Sequence, residues 1–93
     1  MPKAARNTER LQTLVQELQE KRTDLNTHQV DYVTEKIEKG WTEKQLIARL
    51  KQTREAKDWQ AHYGTPAYRQ GNRADVALID FVIEFLTQPQ ATA

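Results

Sequence analysis

Gly40-Trp41-Thr42-Glu43-Lys44-Gln45-Leu46-Ile47-Ala48-Arg49-Leu50 is followed directly by Lys51-Gln52-Thr53-Arg54-Glu55-Ala56-Lys57-Asp58-Trp59. A glycine that stops one helix stands two residues before a threonine that opens the next. Leu46, Ile47 and Leu50 then recur at helical spacing and form an inward face for a third helix beginning at 43. The same pattern extends in both directions, and no alternating run suggests a strand pair. The expected fold is therefore all-α, a compact bundle of four to five helices over about 8–22, 28–39, 43–51, 54–63 and 73–87.

Upstream, Thr8 is the expected cap of the first helix, whose core stripe is Leu11, Leu14, Val15 and Leu18. Thr23-Asp24-Leu25-Asn26 connects it to a second helix, with Thr27 as cap and Val30, Val33 and Ile37 on one side. Downstream, Gly64-Thr65-Pro66-Ala67-Tyr68-Arg69-Gln70-Gly71 reads as a loop because two glycines and a proline punctuate it. Asn72 is then the expected cap of the last helix, with Asp75 in its first turn. The apolar residues of 73–87 cover an arc of roughly 200°, which suits either the centre of the bundle or a homodimer seam through Leu78, Val82, Phe85 and Leu86.

Phase arithmetic raises a question in the third helix. Trp59 lies nine residues beyond Leu50, and at about 100° per residue that places it on the opposite side of a straight helix. A break near Gln52-Thr53, with Thr53 as cap, would return Ala56, Trp59 and Tyr63 to the core. The absence of glycine and proline from Lys51 to Lys57 argues for an unbroken helix instead. The break is the expectation carried forward.

Composition limits the function. Ninety-three residues make one domain, 1–93, with flexible ends expected at 1–6 and 88–93. The chain has no cysteine, so disulfides and thiolate metal sites are absent, and no serine, so a Ser-His-Asp site is absent too. No apolar run approaches the ~18–20 residues of a membrane span. The basic N-terminus leads into an amphipathic segment rather than a signal-peptide core, and a cytoplasmic location is expected. Asp58 and His62 share a helix face but have no third partner, so a surface ion pair is expected there and no metal or other cofactor is assigned. No arrangement of catalytic groups is visible, and an enzyme is not expected.

The net charge of +1 conceals a basic segment. Between Arg49 and Arg73 six basic residues face two acidic ones, whereas Asp75, Asp80 and Glu84 make the remainder acidic. Local charge within a Debye length of roughly 8 Å can attract a polyanion. Tyrosines interleave with it at Tyr63, Tyr68, Arg69 and Arg73, a composition that suits nucleic acid and protein interfaces alike.

From Thr27 to Tyr63 the chain resembles helix-turn-helix DNA-binding domains. The resemblance implies a support helix at Glu43 to Leu50, a turn at Lys51-Gln52 and a recognition helix at Thr53 to Tyr63. It also implies that Thr53, Arg54, Glu55 and Lys57 face the groove or phosphates, with Arg54 as the base-reading fork. The sequence departs from the family pattern at Ile47, Lys51 and Lys57, positions that govern how closely the two helices cross. The leading expectation is thus a small non-enzymatic regulator that contacts nucleic acid through the basic segment 49–73, with Arg49, Lys51, Thr53, Arg54, Lys57, Tyr68, Arg69 and Arg73 as the contact residues. The alternative is an adaptor or inhibitor that docks a larger protein through Trp41, Tyr68 and the neighbouring arginines. Assembly through the last helix is the further alternative, and no membrane partner is expected.

Overall fold

In the computed structural model the backbone is described for residues 2–88 and the side chains for 9–88. Four helices follow one another: α1 (Pro2–Lys21), α2 (Thr27–Glu38), α3 (Glu43–Tyr63) and α4 (Pro66–Thr87). The described residues form a compact all-α fold without strands.

The apolar spacing read along the chain produces the core. Leu11, Leu14 and Leu18 of α1 meet Val30 and Val33 of α2, Leu46 and Leu50 of α3, and Leu78, Ile79, Val82 and Leu86 of α4. Burying each such side chain stabilises by about 1.5–3 kcal/mol relative to exposure. Leu78, Val82 and Leu86, which the sequence allowed either at the centre of the bundle or at a dimer seam, are inside this chain's own core, and Phe85 packs half-buried against it. α4 is the central element.

Polar side chains lock the ends. Arg10 donates to the Phe85 carbonyl at 2.6 Å and the Gln88 carbonyl at 2.7 Å, satisfying the last turn of α4 from the side of α1. Asn26 accepts from the Thr23 backbone N–H and donates to the Lys21 carbonyl, so its side chain closes α1 instead of capping α2. Arg22 donates to Asp31 at 2.7 Å, joining α1 to α2 and lowering the Asp31 carboxyl below its ordinary value through that hydrogen bond. Gly40 ends α2 at φ +92°, a left-handed backbone that other residues rarely adopt. Thr42 and Gln45 exchange side-chain and backbone hydrogen bonds in a capping box that opens α3.

Several boundaries differ from the sequence expectation. α1 starts at Pro2, six residues before Thr8, because proline suits a first helical turn and Lys3-Ala4-Ala5-Arg6 are good helix formers. Residues 2–6, expected in a flexible end, therefore belong to α1, whereas Met1 and 89–93 lie outside the described residues. Thr27 is the first residue of α2 and Asn26 holds the cap position. The expected loop at 64–71 shrinks to Gly64-Thr65: Pro66 starts α4, and Gly71, Asn72 and Arg73 are helical. Proline at the first position initiates the helix, and Gly71 is then carried within it. Finally, α3 has no break. Thr53 donates its hydroxyl to the Arg49 carbonyl at 3.2 Å, the behaviour of a residue inside a helix, not of a cap.

Candidate interaction surface on the α3–α4 hairpin

α3 and α4 form an antiparallel hairpin around the tight Gly64-Thr65 corner, with by far the most extensive helix packing in the molecule. A Cβ on Gly64 would lie 2.5 Å from the Gln60 carbonyl oxygen, so the corner closes only around glycine. The molecule extends 46 Å along its long axis against 27 and 22 Å across.

The hydrophobic core occupies only the part of this hairpin nearest α1 and α2. Between Leu50 and Leu78 the only apolar side chain that is buried is Ala61. The inward face of α3 nevertheless continues in phase through Leu46, Leu50, Arg54, Lys57 and Ala61. Charges replace leucines on this seam. Arg54 makes a two-pronged contact with Asp80, its second hydrogen bond at 3.2 Å, and the pairing raises the Arg54 pKa further. Lys57 donates to Asp75 at 2.9 Å; Asp75 is only 7% exposed, and its second carboxylate oxygen is buried without a hydrogen-bond partner. Arg69 reaches back to the Gly64 carbonyl at 3.0 Å and fastens the corner.

These pairings redistribute the residues singled out by sequence. Arg54 and Lys57 hold α3 to α4, although the helix-turn-helix resemblance assigned them to a groove. The implied turn at Lys51-Gln52 is an interior turn of one continuous helix. Arg49 is exposed and donates from Nε to the Tyr32 hydroxyl at 3.3 Å, while Thr53 is half-buried. Lys51 and Arg73 are exposed, and Tyr68 stands 69% exposed in the first turn of α4. The basic segment therefore does not form one cationic face.

The surface that does form is aromatic. Trp59 and Tyr63, expected in the core, are 61% and 71% exposed with ring centroids 5.5 Å apart. They end an outer stripe of α3 comprising Gln45, Ala48, Gln52, Ala56, Trp59 and Tyr63, spaced by three and four residues, all exposed and none charged. The sequence signal for this stripe is the half-turn offset of Trp59 from Leu50, which describes a helix with two working faces. Its N-terminal end meets Trp41, half-buried, with the Lys36 ammonium 5.3 Å from the Trp41 ring and 5.1 Å from Tyr32. A shallow concavity there is lined by Trp41, Gln45, Ala48, Arg49 and Gln52. A second flanks the other side of Ala48, against Ile47 and Lys51.

His62 Nδ1 lies 3.8 Å from the Asp58 carboxylate on the exposed side of the hairpin. Among the described residues no group of three or more His, Asp or Glu side chains could hold a metal ion, and no helix is long and apolar enough to cross a membrane. Comparisons with protein-family models, with curated proteins and with solved structures found no match.

Proposed function

We propose that this chain is a non-enzymatic helical interaction module that docks protein through the outer face of α3. The observation that carries this reading is the stacked pair Trp59 and Tyr63, exposed opposite the packed seam at the end of an uncharged stripe. Tryptophan and tyrosine, with arginine, are enriched among the few residues that dominate binding energy in protein interfaces, and interface centres are depleted in most charged residues. Trp59 and Tyr63 each present an apolar ring with a polar tip to water, the amphipathic character that enriches both residue types at interfaces.

Charge placement favours protein over nucleic acid. A polyanion is bound by cations free to meet phosphates, and Arg54 and Lys57 are committed to Asp80 and Asp75. Arg49, its guanidinium bonded to the Tyr32 hydroxyl, and Lys51 and Arg73, near Glu55 and Asp58, are left as dispersed surface charges.

The test compares immobilised wild type with the Trp59→Ala/Tyr63→Ala chain. The expected result is a stoichiometric protein complex, reconstituted from purified components, that the variant weakens at least roughly tenfold, the loss of a hot-spot residue or more. Equal binding by both chains would overturn the reading. So would retention of mixed-sequence oligonucleotides at low salt, lost on Lys51→Ala/Arg73→Ala but kept by the aromatic variant, which would return function to the basic segment.

A further inference from the structure

We infer that the outer face of α3 pairs with the same face of a second copy of this chain, antiparallel about a two-fold axis between residues 53 and 54. The inference rests on the interaction reading above and names its partner. It follows from the self-complementary order of the stripe. Reversing α3 upon itself about that axis sets Ala48 opposite Trp59 and brings Gln52 and Gln45 to within one residue of the positions opposite Ala56 and Tyr63. Each of the two large aromatic side chains meets a smaller residue, and each does so twice by symmetry.

The receiving surface already has the shape such a pair needs. In packed helices a side chain from one helix enters a hole formed by four residues at i, i+3, i+4 and i+7 of the other. Gln45, Ala48, Arg49 and Gln52 stand in that relation and line the concavity beside Trp41. Ala48 provides its floor. Trp59 of the second copy is the largest side chain on the stripe and enters over the smallest, placing its indole near Trp41.

Charge complementarity selects this orientation and this occupant. Lys51 and Glu55, both exposed, lie four apart along one edge of the stripe. In antiparallel helix pairs like edges meet, so Lys51 of each protomer faces Glu55 of its partner, with Asp58 one turn further along the same edge. A parallel pair would set Trp59 against Trp59 and leave the Ala48 concavities empty. The core contributes nothing to the contact, because Leu78, Val82 and Leu86 are already buried within the protomer. The interface is on the face opposite α4.

Sedimentation equilibrium on the full chain tests the inference. At about 100 µM, where a micromolar dissociation constant gives mostly dimer, the wild type is expected at twice the chain mass. Trp59→Ala should weaken association at least roughly tenfold with helicity unchanged by circular dichroism, because the side chain is exposed in the protomer. Lys51→Glu and Glu55→Lys should each weaken the dimer, and the double exchange should restore it, a rescue that damage to the fold would not give. Because the chain lacks cysteine, orientation is read by oxidising a mixture of Gln45→Cys and Tyr63→Cys chains. Antiparallel pairing yields the mixed disulfide; predominance of the two like disulfides overturns it. A monomeric wild type, or a dimer indifferent to Trp59→Ala, overturns self-pairing. Neither result touches the broader interaction reading, which falls if purified partners bind wild type and the aromatic variant equally, or if oligonucleotides are retained through Lys51 and Arg73 and not through the aromatic pair.

Discussion

Gly64 and Gly71 have opposite consequences for stability, although both punctuate the same stretch of sequence. At Gly64 an added Cβ would press on the Gln60 backbone carbonyl at 2.5 Å, and that carbonyl accepts the hydrogen bond that ends α3. Neither atom belongs to a side chain that can swing aside. Gly64→Ala is therefore expected to destabilise by about 1–3 kcal/mol, the usual range for an overpacked site, read as a lower urea midpoint at unchanged slope. At Gly71 nothing lies within 4 Å of an added Cβ, and the residue is inside α4. Gly71→Ala is expected to stabilise by about 0.5–1 kcal/mol through helix propensity and lost freedom of the unfolded chain. A destabilised Gly71→Ala chain would contradict the helical assignment of 66–73.

At the scale of the element, α3 combines two faces that a sequence reading tends to merge. The apolar stripes of α1, α2 and the second half of α4 are legible because each faces one core, so apolar residues at three- and four-residue spacing mark burial directly. In α3 the same rule misleads. Assigning Trp59 and Tyr63 to the core demands a break, whereas the inward positions past Leu50 belong to Arg54, Lys57 and Ala61, residues whose burial depends on partners in α4 that spacing does not reveal. The start of α4 is hidden for a related reason, since Pro66 begins a helix as readily as it interrupts one. The aromatic site was visible as a half-turn offset, and its exposure required knowing which face Asp75 and Asp80 claim. This seam makes a specific prediction. Lys57→Met leaves the Asp75 carboxylate, 7% exposed, without its cation, and is expected to cost about 2–4 kcal/mol, somewhat below a fully buried pair because Lys57 keeps part of its hydration. Lys57→Met/Asp75→Leu should recover most of that loss, since an apolar pair of similar volume needs no desolvation of charge. Thermal unfolding of the four chains gives the coupling as a double-mutant cycle. A double variant as unstable as the single one would show that the pair specifies the hairpin's packing rather than merely compensating its own burial.

Across the whole molecule the distribution of the core sets a gradient of stability. The leucines and valines of all four helices converge between Leu46 and Leu50 of α3 and between Leu78 and Leu86 of α4. Beyond them the hairpin is held by Ala61, the Lys57–Asp75 pair, Arg69 at the corner and, nearer the core, the half-exposed Arg54–Asp80 contact. The half-exposed Arg54–Asp80 pair contributes only about 0–1 kcal/mol and is screened by salt, and the Lys57–Asp75 pair mainly offsets its own desolvation, so the distal hairpin lacks the apolar burial that stabilises the body. Local opening there requires breaking few buried contacts and is expected at a lower free energy than global unfolding. In native-state hydrogen exchange, amides in 56–63 and 69–74 should exchange through sub-global openings, while those of Leu50, Ile79 and Val82 exchange only with global unfolding. The measurement belongs on the Trp59→Ala chain, so that pairing of α3 with a second copy does not protect the same amides. Raising salt to about 1 M, where the Debye length falls to roughly 3 Å, should accelerate exchange in the distal segments and leave the body nearly unchanged. Equal protection along the full length of α3 would mean that the hairpin unfolds as one unit, and that the polar seam couples it as tightly as the leucines do. A gradient would instead place the aromatic surface on the part of the molecule freest to adapt to what it binds, with the four-helix core as its fixed base.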